Sequence, residues 1–117
     1  IPREHWSVDA GDADVAVLDI PADARRDRVF EIDCRFDVRL PADRADGDGW
    51  HELRVTIDGA VAWTRRSPTH NPGASDSLEW HQRRTLPSGE PLRIVAATRI
   101  HGVGRRALVI TADESSA

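Results

Sequence analysis

The sequence predicts an all-β fold: a single domain, residues 1–117, built as an antiparallel two-sheet sandwich of about seven strands, either immunoglobulin-like (or fibronectin-type) or jelly roll. Three observations carry that expectation. Residues 29–41 read VFEIDCRFDVRLP, in which Phe30, Ile32, Cys34, Phe36, Val38 and Leu40 alternate with Glu31, Asp33, Arg35, Asp37 and Arg39. Strand side chains alternate between two faces, so this stretch has one oily and one ionic face, which a helix would scatter. Asp58-Gly59 lies between two extended runs and marks a two-residue hairpin, because both turn positions need positive φ. Short β-like runs fill the rest, with turn residues between them and no helical period long enough to compete.

In chain order, residues 14–20 (DVAVLDI) form the first strand, short and β-branched. Residues 22–28 (ADARRDR) allow at most one helical turn. Residues 29–40 are the long second strand. GDG at 47–49 breaks the chain before WHELRVTI at 50–57, whose His51, Leu53, Val55 and Ile57 share a face. The return strand after Asp58-Gly59 is AVAWTRR at 60–66. A regular two-residue hairpin sets Ile57 opposite Ala60, Val55 opposite Ala62 and Leu53 opposite Thr64. On the other face it sets Thr56 opposite Val61, Arg54 opposite Trp63 and Glu52 opposite Arg65. Residues 67–77 (SPTHNPGASDS) read as a loop. Strands follow at 78–86, 92–101 and 106–112, and the segments 1–4 and 113–117 as frayed ends.

One domain of 117 residues can enclose one core. Mean hydropathy is −0.49, with 39% hydrophobic and 31% charged residues, and no apolar run nears the ~20 residues of a membrane span. No signal-peptide pattern is read at the start. The single cysteine, Cys34, allows no internal disulfide and falls on the oily face as an inert thiol, which favours a reducing, cytoplasmic setting. All 16 basic residues are arginine, which we read as the codon bias of a GC-rich bacterial genome. Residues 1–59 carry 8 Arg and 15 acids (net −7), whereas 60–117 carry 8 Arg and 5 acids (net +3). Two halves of opposite sign facing one another within one fold explain that difference.

Catalytic signatures are missing from the sequence, which leads us to expect no enzyme. Gly102-Val103-Gly104-Arg105-Arg106-Ala107 matches the dinucleotide fingerprint, but a strand pattern follows it where a phosphate-binding helix is required. Four Arg-Arg pairs place their members on opposite strand faces, and the net charge of −4 argues against nucleic acid as a partner. Asp12, Asp14, Asp46 and Asp48 fall on loops that strand parity brings to one end, together with His51, His70 and His101. Carboxylates on converging loops suit Ca²⁺, although Asp is also the ordinary turn residue. An enzyme using metal-activated water at this end is the weakest class, since nothing there supplies an acid–base pair.

The tryptophans point elsewhere. With Leu53, Val55 and Ile57 turned inward, a regular hairpin shows Trp50, Val61 and Trp63 on its outer face, with Arg54 laid over Trp63. The expected function is therefore a non-catalytic interaction module. It associates with a second copy of itself, the first expectation, or docks another protein partner, through Trp50, Val61, Trp63 and Arg54. The alternative is a carbohydrate-binding accessory domain that stacks sugars on Trp50 and Trp63, with structural calcium at the Asp end.

Overall fold

The computed structural model describes residues 3–40, 48–69 and 75–115. Among the described residues there are eight strands: β1 (His5–Asp9), β2 (Val15–Ile20), β3 (Arg28–Arg39), β4 (Trp50–Ile57), β5 (Ala60–Pro68), β6 (Ser75–Leu86), β7 (Leu92–His101) and β8 (Gly104–Glu114). They form two four-stranded antiparallel sheets, β1-β8-β3-β6 and β2-β7-β4-β5. The expected sandwich is thus the fold.

The pairing has a simple rule. β4 pairs with β5, β3 with β6, β2 with β7 and β1 with β8. The chain behaves as one long hairpin, with Asp58-Gly59 at its tip, rolled so that β3–β8 and β4–β7 complete the two sheets. This nested order is the jelly roll, which separates it from the immunoglobulin arrangement of the two expected alternatives.

The strand missed in the sequence is β1. Its five residues alternate exposed and half-buried, with Trp6 and Val8 turned toward the core. Residues 24–25 form a plain turn, not a helical one. β6 begins at Ser75 and β8 runs Gly104–Glu114, so both are longer than their oily alternation suggests. The second glycine of the fingerprint-like run is thus the first residue of a strand, and no helix follows.

Inner faces of both sheets make one core. Phe30, Ile32, Phe36 and Val38 of β3 meet Leu53 and Val55 of β4, Ile94 and Ala96 of β7, and Leu108 and Ile110 of β8, all fully buried. Each large side chain hidden this way contributes about 1.5–3 kcal/mol. Cys34 lies in this layer, and burial pushes its thiol up to about 12, so it is an unreactive packing residue.

Arginines close both ends of the sandwich. At the loop end Arg105 Nε donates to Thr98 Oγ1 at 3.0 Å, while Thr98 donates to the Asp14 carbonyl from both its amide and its hydroxyl at 2.8 Å. At the opposite end Arg28, 2% exposed, donates to Glu4 Oε1 at 2.7 Å and to the Pro21 carbonyl at 2.8 Å. Arg26 joins the same cluster through Glu4, Asp23 and Glu114, and its guanidinium holds the Glu114 carboxyl below the usual range.

Candidate functional surface

The β4–β5 hairpin starts as expected and then departs from it. Asp58 (φ 50°) and Gly59 (φ 84°) make the two positive-φ residues of the turn, and Ile57 faces Ala60 and Thr56 faces Val61. A β-bulge follows: Val55 faces Trp63, so Ala62 is the extra residue on β5. Every later pair is shifted by one. Arg54 faces Thr64, Leu53 faces Arg65, and Glu52 faces Arg66.

That single residue rearranges the expected site. Because opposed residues share a face, Trp63 follows Val55 to the inner side, where it packs half-buried against the core. Trp63 therefore leaves the patch, and the expected Arg54–Trp63 contact does not form. Trp50 stays on the outer face. The Arg66 guanidinium sits 3.8 Å from its ring centroid, and His101 stacks on it at 6.0 Å and 19°. β4 runs between β5 and β7, so these two neighbours reach the indole from the strands on either side. Arg66 Nε also donates to Glu52 Oε1 at 3.2 Å, replacing the expected Glu52–Arg65 pair.

What the outer face of the β2-β7-β4-β5 sheet does present is a row of small apolar groups. Val17, Val95, Thr56 and Val61 are in register across all four strands. Val17 is 43% exposed, Val61 61%, and Val15 in the next row 42%. Alternation alone marked Val61. It left Val15 and Val17 unnoticed, because which sheet and which face they occupy depends on the pairing of β2 with β7. Around this row stand Arg54, Arg66, Arg93 and Arg99 against Asp19 and Glu52. Arg93 is tied to Asp19 (Nε–Oδ1 2.8 Å) and Arg66 to Glu52. Among the described residues Arg54 and Arg99 have no ion-pair or hydrogen-bond partner. They border a depression of about 100 Å³ whose other walls are Glu52 and Ala97.

The opposite outer face has the other sign. Asp9, Glu31, Asp33, Asp37, Glu79 and Asp113 outnumber Arg35, Arg39 and Arg83 there. His81 bridges two of these acids, with Nδ1 2.8 Å from Asp33 Oδ1 and Nε2 2.8 Å from Glu31 Oε2. The hydrogen bond and charge of Asp33, with those of Glu31, raise its pKa. His5 pairs with Asp113 on the same face. The two halves of the sequence do face one another, as expected: each strand of the first half pairs with one of the second, and Asp19–Arg93, Glu52–Arg66 and Glu31–Arg83 join them.

Among the described residues the loop end does not assemble the expected metal site. Asp12 and Asp14 are exposed on the β1–β2 loop, and Asp48 precedes β4, while Asp46 and His70 lie outside the described residues. His51 points into the core, fully buried, with Nδ1 2.6 Å from Thr69 Oγ1, and His101 is on the other face of the sheet. Among the described residues no group of three or more His, Cys, Asp or Glu side chains is arranged to hold a metal ion. The neighbouring Asp9 does ordinary turn work: its carboxylate accepts from the Gly11 amide at 2.9 Å.

No protein-family model matches the sequence, and no curated protein does. Among solved structures the fold is similar to part of dimeric latent PorU from Porphyromonas gingivalis. That likeness has a TM-score of 0.54 at 11% identity, and it covers 97% of this chain and 13% of that one. At that identity it shows the sandwich fold and nothing about activity.

Proposed function

We propose that this domain is a non-catalytic interaction module that docks a protein partner on the outer face of the β2-β7-β4-β5 sheet. The observation that carries this is the in-register row Val17–Val95–Thr56–Val61, in which Val17 and Val61 are exposed and Val95 and Thr56 half-buried, with Val15 exposed in the next row, on a chain that is 31% charged. Large apolar side chains left in water on one sheet face cost solubility, and contact surfaces are where proteins keep them. The face carries an excess of arginines, so two copies packed through it would set like charges against each other. A different protein suits it better than a two-fold dimer.

The sugar-binding alternative draws less support. Arg66 and His101 both pack on the Trp50 ring, and Trp63 faces inward, so the two indoles make no pair of platforms. Peptides selected from an unbiased 12-residue library and titrated into methyl-labelled protein test the proposal. We expect shifts at the methyls of Val15, Val17, Val95 and Val61. Shifts confined to the loop end or to the β1-β8-β3-β6 face would overturn it, as would Trp50 quenching by a glycan panel with no peptide response.

A further inference from the structure

The docking reading above, on which this inference rests, leaves the partner's chemistry open, and two arginines supply it. Most described arginines of the two outer faces have an acid: Arg35 has Asp37 and Glu79, Arg66 has Glu52, Arg83 has Glu31 and Arg93 has Asp19. Arg54 and Arg99, both exposed, have none among the described residues. They are diagonal neighbours on β4 and β7, since Arg54 faces Ala97 and Arg99 faces Glu52. Ala97 is too small to fill the space between them, and Glu52, the nearest acid, is engaged by Arg66. Two like charges are thus held side by side around a small hollow, where an incoming carboxylate would meet two guanidiniums at once.

Their position relative to the valines matters equally. Along a strand, residues sharing a face are about 6.6–6.8 Å apart. Val95 and Thr56 form one level of the outer face, Ala97 and Arg54 the next, and Arg99 and Glu52 the one after. An extended segment lying along β4 and β7 with an apolar side chain at the valine level presents its residue two further on to the Arg54–Arg99 hollow. We propose that the partner's docking element is an extended, acidic protein segment in which an apolar residue and a carboxylate are two positions apart, the carboxylate seated between Arg54 and Arg99.

Three fluorescein-labelled, amidated peptides test this by anisotropy: repeats of Val-Ser-Glu-Ser, of Val-Ser-Lys-Ser and of Ser-Ser-Glu-Ser. The first is expected to bind, more weakly at 500 mM than at 50 mM salt, and the other two at least tenfold less well. The double variant Arg54→Glu, Arg99→Glu should lose at least tenfold for the first peptide with an unchanged melting temperature, because both side chains are exposed. Equal binding of the lysine peptide, no loss in the double variant, or a heparin fragment competing as well as the acidic peptide would overturn the inference. If library peptides without acids still shift the valine methyls while the acidic peptide does not bind, the docking face stands and only the acidic partner falls.

Discussion

The Arg66 guanidinium lies 3.8 Å above the Trp50 ring while bonding Glu52 at 3.2 Å, so one side chain both shields an indole and neutralises an acid. Replacing it by alanine should open one face of Trp50 to water. Arg66 is half exposed, so the stability cost is small, about 0.5–1 kcal/mol. The optical change is the sharper readout. Arg66→Ala should red-shift emission relative to the parent, and the shift should vanish when Trp50→Phe is also present. Emission unchanged by Arg66→Ala would mean that the pair does not persist in solution.

The bulge at Ala62 makes a second prediction, about Trp63. If Trp63 faces inward, Trp63→Ala should cost about 2 kcal/mol in chemical unfolding, part of the full burial value because the ring is half-buried. Deleting Ala62 removes the extra residue but leaves Val55 opposite Trp63, so the indole stays inward and Trp63→Ala should cost about as much in that background as in the parent. A cost that is small in the parent and rises sharply in the deletion would mean that the parent ladder is regular and Trp63 faces outward.

The bulge also shows where sequence reading stops. Alternation in 29–40 and the Asp58-Gly59 turn are local signals, and both held, because a buried face and a positive-φ turn are set by neighbouring residues. Ala62 carries no such signal: it is small, apolar and as comfortable in a bulge as in a ladder. From Trp63 onward every face assignment on β5 depended on it. β1 escaped for another reason. HWSVD has only Trp6 and Val8 to alternate, and its place is set by β8, more than 100 residues away. The contrast in sign between the outer faces was not legible at all, because each sheet takes two strands from each half of the chain and local patterning does not encode strand order.

Two histidines give opposite pH dependences. Burial lowers the pKa of His51, so the unfolded chain binds its proton first. The contribution of neutral His51 is present above about pH 6.5, the unfolded value, and is lost as pH falls below it. Asp33 and Glu31 raise the pKa of His81, so its contribution is full below about pH 6.5 and is lost as pH rises through the higher folded value. Chemical unfolding at pH 5, 6.5 and 8.5 should show His81→Gln costing most at pH 5. His51→Gln should reduce the loss of stability between pH 6.5 and 5. If His81→Gln costs the same at all three values, the bridge to Asp33 and Glu31 contributes nothing in solution.

Glu4 is the keystone of the buried arginine cluster. Its Oε1 accepts from Arg28 at 2.7 Å and from the Trp6 indole at 2.9 Å, and its Oε2 accepts from Arg26 at 2.8 Å. Arg28 is 2% exposed, and among the described residues its only other side-chain hydrogen bond is to the Pro21 carbonyl, its Nε having no partner there. Removing the carboxylate leaves a buried guanidinium short of its counter-charge, which typically costs about 3–5 kcal/mol. Glu4 is partly accessible to water, so Glu4→Ala should fall at the low end, near 3 kcal/mol. The pair itself adds little over apolar packing of the same volume, because both charges were desolvated to make it. Arg28→Met together with Glu4→Leu should therefore recover most of what Glu4→Ala loses, with the Arg28 guanidinium, which lies over Phe30 at 5.4 Å from the ring centroid, replaced by an apolar side chain of similar reach. A double variant no more stable than Glu4→Ala would mean that the cluster stabilises through its charges, by tying β1 and the 21–28 segment to β8.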